Sequence, residues 1–388
     1  MTGVVTTPPF AASEDDTPGP AGAVIVFFSG GTALREVSRE LTRFTRNALY
    51  LITPFDSGGS TAELRRCFHM PAVGDLRNRM VALAGPRRPT ELADLFSHRF
   101  DIALPEEALH GQLDALCAGE SPWLSALAPD LRTACSSRFV SFRHAMPSDF
   151  RLRGACLGNL LVTGAYLEAE RSLRKAVLSL GALLDTQGLV LPVVEDSLHL
   201  AARLENGALI VGQHLFTGKE APPITSPIRS VRLTAALPGS LAAPPAYPAA
   251  PADVLDRIRE ADLICYPMGS FYSSLIAALL PAGIGKAIAE ADCPKLFVPN
   301  VGCDPEELGL DARGRVRELL RVLRADAGEV ATSRLLTHVL LDMEQDIDPR
   351  VYPGLHVRRA PLSVPGNPAM HDAPRVAELL ASLVLSAR

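Results

Sequence analysis

The amino-acid sequence predicts an α/β fold built on a mostly parallel sheet with helices on both faces. Three observations lead there. Val24 to Phe28, inside Ala23–Leu34 (AVIVFFSGGTAL), is an unbroken run of β-branched and aromatic residues, the pattern of a strand buried on both sides. The run ends at Ser29-Gly30-Gly31-Thr32 and passes into Ala33, Leu34, Val37 and Leu41 at helical spacing. The same unit of strand, glycine turn and helix then recurs, and strands alternate with helices across both halves of the chain. In such sheets ligands sit beyond the carboxyl ends of the strands, the edge that these glycine loops leave.

Each element follows in order. Ala48 to Ile52 reads as a second strand, closed by Pro54 and followed by the loop Phe55-Asp56-Ser57-Gly58-Gly59-Ser60 and a helix from Thr61 through Phe68. Pro71 to Asn78 reads as a turn-rich loop, with Leu76, Met80 and Leu83 starting a helix. Residues 86–150 hold Pro-bounded apolar patches, so we expect a helical insertion of several short helices, packed by the lone Trp123. Gly154 to Leu184 reads as one long helical stretch and Leu189 to Val194 as a strand. His199–Leu204 and Ala208–Leu215 flank Asn206-Gly207, a hairpin signal. Ser230 to Leu233 adds a strand, and the Ala/Pro-rich Leu237 to Pro251 is an extended surface loop. A second α/β series follows: helix Val254–Ala261, strand Leu263–Tyr266, turn Pro267–Ser270, helix Phe271–Leu280 and strand Lys295–Val298. Helices at Arg313–Ala325 and Glu329–Leu336, strands at His338–Leu341 and Leu355–Arg358, and a closing helix Ala373–Leu385 complete the chain.

Composition excludes several classes of function. The 388 residues, 47% hydrophobic and 21% charged, suffice for a large core in one unit over residues 21–388. A net charge of −5 offers no basic surface, so no nucleic-acid partner is expected. Seven scattered cysteines, never in a CxxC pair, argue against a disulfide framework and a structural zinc site. The nine histidines form no HxxH or HExxH arrangement. Residues 1–20 carry neither a basic nor an apolar segment and read as a disordered tail rather than a signal peptide. No apolar run reaches the ~18 residues of a membrane span. A cytoplasmic, reduced protein without a membrane partner is the expectation, with a homodimer left open.

Five blocks carry the chemistry: Ser29-Gly30-Gly31-Thr32, Asp56-Ser57-Gly58-Gly59-Ser60, Gly74-Asp75-Leu76-Arg77-Asn78, Leu157-Gly158-Asn159-Leu160 and Gly269-Ser270-Phe271-Tyr272-Ser273-Ser274. In this order they resemble the superfamily of the 2-phospho-L-lactate transferase of deazaflavin cofactor biosynthesis (CofD-like), whose sister branch, the gluconeogenesis-factor proteins, binds nucleotide sugars. Val73 to Asn78 is similar to the Pro-Gly-Asp-x-Arg-Asn block of that second branch. The chain departs from the family pattern at Ala33 (usually Gly), Ser57 (usually Asp), Pro267-Met268 (usually Gly-Pro) and Gln213 (usually Glu in the second branch). The resemblance implies a Rossmann-like three-layer fold and a nucleoside-diphosphate-linked ligand.

On their own chemistry, glycines at Gly30 and Gly31 let backbone N–H groups approach a phosphate, with Thr32 at the helix start. Asp56 at a strand end is a candidate Mg²⁺ ligand or a helix cap, and Asp75 a second ligand, a base or a cap. Arg77 would clamp phosphate or form an ion pair. Asn78 and Asn159 are amides in apolar helices that bond either a ligand or a neighbouring loop. Gly58, Gly59, Ser60, Gly269, Ser270, Tyr272 and Ser273 complete the candidate nucleotide site. Two functional readings follow: a Mg²⁺-dependent transferase moving a phosphate-linked group to an acceptor hydroxyl, or a non-catalytic nucleotide-sugar-binding regulator. A flat acceptor would call on Phe55, Phe271 and Tyr272, which otherwise fill core space.

Overall fold

A computed structural model describes residues 22–387; the tail expected at residues 1–20 lies outside them. The first units are β1 (Ile25–Ser29), α1 (Arg35–Leu41), β2 (Ala48–Ile52), α2 (Gly59–Phe68) and α3 (Gly74–Ala82). Residues 86–150 contain α4 (Thr90–Ser97), α5 (Glu106–Ala118), α6 (Pro122–Ser125) and α7 (Pro129–Ala145). Then come α8 (Leu157–Glu168), α9 (Leu173–Leu184), β3 (Leu189–Pro192), β4 (His199–Leu204), β5 (Leu209–Val211) and β6 (Ile228–Thr234). The second half adds α10 (Ala252–Arg259), β7 (Leu263–Tyr266), α11 (Ile284–Glu290), β8 (Lys295–Phe297), α12 (Ala312–Ala327) and α13 (Thr332–Leu335). It ends with β9 (His338–Leu341), β10 (His356–Arg359), β11 (Ser363–Val364), β12 (Asn367–His371) and α14 (Ala373–Ala387).

Seven strands form one parallel sheet in the order β10-β9-β8-β7-β1-β2-β3. Strand β1 is central, pairing Ile25 with Ala48 of β2 on one side and with Leu263 of β7 on the other. The order therefore reverses at β1, and the crevice between the β1 and β7 ends is the switch point where such sheets bind ligands. All five β1 residues are buried. Phe27 stacks on Tyr50 at 5.1 Å on one face, and Phe28 on Tyr266 at 6.1 Å on the other. One core lies under α1, α3–α5, α7–α9 and α14, the other under α10–α12 and the small antiparallel sheet β5-β4-β6. The predicted three-layer α/β arrangement is thus present.

Several local expectations are corrected. Gly154–Leu184 is two helices, because Glu170 and Arg171 take positive φ of 56° and 65° and turn the chain. The helix expected from Phe271 is a π-helical turn, Phe271–Ile276, and that expected over Glu329–Leu336 shrinks to α13. The second hairpin arm is only β5, followed by the 3₁₀ turn Gln213–Leu215. Asp75, Arg77 and Asn78 lie inside α3 rather than in a loop. Sequence reading missed α11 and the β11–β12 hairpin. Trp123 is 42% exposed, its ring against His98 at 3.8 Å. Among the described residues no helix is long and apolar enough to cross a membrane, and all seven cysteines are free.

The helices of residues 86–150 join the first core rather than making their own, because α8 lies close against them. A Cβ on Gly164 would fall 2.0 Å from the Arg138 carbonyl oxygen of α7, and one on Gly158 2.1 Å from that of Phe96 in α4. These glycines allow backbone-to-backbone packing. In α5, by contrast, nothing lies within 4 Å of a Cβ built on Gly111. The same substitution should therefore have opposite signs at the two sites. In chemical denaturation Gly164→Ala should lose roughly 2 kcal/mol through forced displacement of α7, while Gly111→Ala should gain about 0.5–1 kcal/mol from helix propensity.

Candidate functional site

A cleft of about 570 Å³ opens at the switch point. It brings together Gly30, Gly31, Thr32, Asp56, Asp75, Gly269 and Ser270 of the residues singled out from sequence. Three glycine turns meet this edge of the sheet, and their hydrogen bonding differs.

In the turn after β7 the protein itself supplies acceptors for four backbone N–H groups. Gly269 N–H donates to Asn300 Oδ1 at 2.9 Å and Phe271 N–H to Asp304 Oδ2 at 2.8 Å. Tyr272 and Ser273 N–H both donate to Glu306 Oε2, at 3.0 and 2.7 Å, and the Ser273 hydroxyl donates to Glu306 Oε1. The helix end expected to receive a phosphate is already occupied by two carboxylates. Glu306 is fully buried, and burial, with Asp304 nearby, pushes its carboxyl up to about 7. Tyr272 is buried in the core, its hydroxyl donating to the Ile228 carbonyl at 3.3 Å.

The turn after β2 is closed in the same way. Gly58 N–H donates to Asp56 Oδ1 at 3.2 Å, and Gly59 N–H to Glu220 Oε2 at 3.3 Å. Behind it, Ser60 Oγ accepts from Asn159 Nδ2 at 3.0 Å, and Asn159 Oδ1 accepts from Arg77 Nε at 3.2 Å. Arg77, Asn159 and Ser60 thus tie α3, α8 and α2 together outside the cleft lining; Asn78, Gly58 and Gly59 are not in the lining either.

The turn after β1 is open. Among the described residues the N–H groups of Gly31, Thr32 and Ala33 have no protein acceptor. The carbonyls of Gly30 and Gly31 instead face inward and each accept from Arg79 Nη2 at 3.3 Å. Arg79 is fully buried, also donates to Ser38 Oγ at 2.6 Å, and lies 5.1 Å from the centre of the Tyr50 ring. Gly30 and Gly31 are glycines for space: a Cβ would fall 2.2 Å from Ser274 Oγ or 2.7 Å from Asp75 Oδ1.

Beside this turn stand two carboxylates. Asp75 accepts no hydrogen bond among the described residues; burial, then the charge of Asp56, raise its carboxyl to about 7, against lowering by Lys219, Arg79 and Arg77. Asp56 is raised as well, by burial first, with the N–H groups of Gly58 and Ser57 opposing. Arg65 holds the Asp56 loop from behind, donating to the carbonyls of Asp56 at 2.8 Å and Leu198 at 2.6 Å. Among the described residues no group of three or more His, Cys, Asp or Glu could hold a metal, so a cation here would rest on the Asp56–Asp75 pair.

Sequence reasoning missed Arg79 and Arg65, as well as His214, Lys219, Glu220, Asn300 and Asp304 in the lining. Only Asp304 carried a local signal, as the cap of Pro305–Glu307, where its side chain accepts from Glu306 N–H. Phe55, Phe271 and Tyr272 are all buried in the core and none lines the cleft.

The family model described as 2-phospho-L-lactate transferase CofD matches residues 25–356. The gluconeogenesis factor of Bacillus subtilis is 26% identical over 373 residues, covering 93% of this chain and 98% of that protein. A Thermotoga maritima protein is 29% identical over 303 residues, 77% of this chain and 75% of its own length. The crystal structure of a UPF0052-family protein from Bacillus halodurans superposes with a TM-score of 0.65 at 22% identity, over 92% of this chain and 98% of that one, a likeness of fold. On the family match over most of its length, the chain belongs to the 2-phospho-L-lactate transferase CofD family.

Proposed function

We propose that the chain binds a nucleoside-diphosphate-linked small molecule in the switch-point cleft, as a binding protein of the gluconeogenesis-factor type. The observation that carries this reading is the open turn: three unbonded N–H donors beside two carboxylates, while both neighbouring turns are filled by the protein's own acids. Backbone donors without an acceptor at a strand-to-helix turn suit a diphosphate. The facing carboxylates repel an anion unless a cation intervenes, and the set fits magnesium, which takes one or two carboxylates and completes its shell with phosphate oxygens and water. Asp56 and Asp75 would hold it, and the ion would neutralise the charge of the diphosphate.

Transfer of the phosphate-linked group to an acceptor hydroxyl is the second reading. It is favoured by the near-neutral carboxyl of Asp75, suited to accept a proton from a hydroxyl. Against it stands the burial of Phe55, Phe271 and Tyr272, which leaves the cleft without those rings to hold a flat acceptor.

Calorimetric titration with uridine and guanosine diphosphates tests binding. We expect Mg²⁺-dependent binding, weakened by roughly 1.5–3 kcal/mol on chelation or in Asp56→Asn. Gly31→Val should fold, since its side chain meets only the movable Asp75 carboxylate, yet abolish binding. Equal affinity with and without Mg²⁺ removes the metal from the site, and no diphosphate binding sinks the reading.

Asp75 also sets a pH dependence. Its carboxyl titrates higher when folded than an unperturbed carboxyl, near pH 4, so its stabilising contribution is present below about pH 4 and is lost as pH rises through about 7. Asp75→Asn should therefore stabilise the ligand-free protein at pH 8, by on the order of 1 kcal/mol, and progressively less toward pH 4. A pH-independent difference in thermal unfolding would place the charge elsewhere. Turnover decides between the readings: with Mg²⁺, a lactyl-diphosphoguanosine donor and the deazaflavin alcohol, we expect no phospholactyl product, and efficient product formation would make this a transferase.

A further inference from the structure

Two histidines lie side by side at the end of the sheet opposite the cleft. His338 opens β9 and His356 opens β10, and the parallel register pairs the two residues directly. Their rings stack, with centroids 5.0 Å apart and planes 27° from parallel. The glycine turns leave the carboxyl ends of the strands, whereas this pair sits at the amino ends, and neither histidine lines the cleft. His338 is half-buried, and His356 is exposed on the outermost strand of the seven. The two are too far apart in sequence to form a short motif; only strand pairing brings them together.

The hydrogen bonds around His338 decide which ring nitrogen is free. Thr337 Oγ1 accepts from the Lys295 N–H at 2.7 Å and donates its hydrogen to the Lys295 carbonyl at 3.0 Å. His338 Nδ1 lies 2.7 Å from the same oxygen. With the hydroxyl hydrogen spent, Oγ1 can only accept, so Nδ1 carries the proton and donates it. Nε2 is then left with a bare lone pair. Metal-bound histidines have this arrangement: one nitrogen donates to a neighbouring group and the other is turned to the ion. Burial, then the charge of His356, lowers the His338 pKa, which favours the neutral ring that a metal needs. Protonating both stacked rings would set like charges against each other, whereas one shared cation turns their closeness into chelation.

We propose that His338 and His356 form a binding site for one divalent transition metal of the zinc, nickel or copper class, held by two imidazole nitrogens. Imidazole suits these ions, whereas magnesium takes oxygen ligands. Among the described residues no group of three His, Cys, Asp or Glu is gathered here, so water completes the shell. The bound ion bridges β9 and β10 and pins the outermost strand to the sheet.

Calorimetric titration of the full chain with Ni²⁺, an ion that does not oxidise the free cysteines, tests the site. The variants are His338→Asn, which keeps an N–H for Thr337 and lacks the second ring nitrogen, and His356→Gln. We expect wild type to bind Ni²⁺ and each variant to bind it at least roughly tenfold more weakly. Ni²⁺ should also raise the melting temperature of wild type, since an ion that binds only the folded sheet stabilises it, and should raise that of either variant less. If His338→Asn melts below wild type without metal, His356→Gln, at an exposed position, carries the comparison. An equal concentration of Mg²⁺ should leave Ni²⁺ binding unchanged. No Ni²⁺ binding by wild type would overturn the inference. So would unchanged binding in both variants, which places the ion on cysteines or in the cleft, or displacement by Mg²⁺, which places it on carboxylates.

Discussion

The site depends on one buried cation. Arg79, with no exposed surface, lies beneath the turn that ends β1 and draws the carbonyls of Gly30 and Gly31 inward. A peptide unit whose C=O points into the protein points its N–H the other way, so this pull turns the Gly31 and Thr32 donors outward. Removing a guanidinium from water is expensive unless its donors are met. Here Ser38 and the two carbonyls meet its Nη1 and Nη2 donors, with Ser29 Oγ at 3.4 Å; Nε stays without a partner, and the Tyr50 ring faces the charge. Burial lowers the Arg79 pKa to about 10, which still leaves it charged at neutral pH. Only a planar fork reaches hydroxyl and carbonyl oxygens together; a lysine ammonium at this depth would not.

The neighbouring loop is held in a similar way. Arg65 is buried behind the Asp56 turn and bonds the carbonyls of Phe55, Asp56 and Leu198. Burial of the His199 ring, then the charge of Arg65, keep that histidine neutral, with a pKa lowered to about 4. Arg77 does not grip a carbonyl; it reaches Ser60 through the Asn159 amide. Fixed positive charge therefore lies behind the loops and carboxylates lie in front. Such a layout orients backbone dipoles before any ligand arrives, so a bound anion meets donors that need no rearrangement.

The three glycine turns look alike in sequence and differ in charge. Around Gly58 and Gly269 the protein supplies its own anions, through Asp56, Glu220, Asp304 and Glu306. These carboxylates take the place that a phosphate would occupy and stabilise the turns as side-chain caps do. One turn remains for a ligand, and it lies at the reversal of strand order where the sheet leaves a crevice. The acids that close its neighbours also make the surrounding field negative. That negative field is the physical ground for the divalent cation proposed with a diphosphate there.

Periodicity and turn chemistry alone determined the α/β class, the strands Ala48–Ile52, Leu263–Tyr266 and His338–Leu341 to the residue, and the glycine loops at the ligand edge, because apolar runs and glycine stops are local signals. The order of the motif blocks determined the family. Weak local signals failed where the chain breaks without Pro or Gly, as at Glu170–Arg171, or where small residues hide a helix, as in α11. What only the tertiary structure decided is the state of each turn. Glu306 reaches Ser273 across 33 residues, Arg79 reaches Gly30 across 49, and Glu220 reaches Gly59 across 161. No local pattern encodes such pairings, because they exist only once the sheet has aligned its strand ends and packed α3 beneath the first of them.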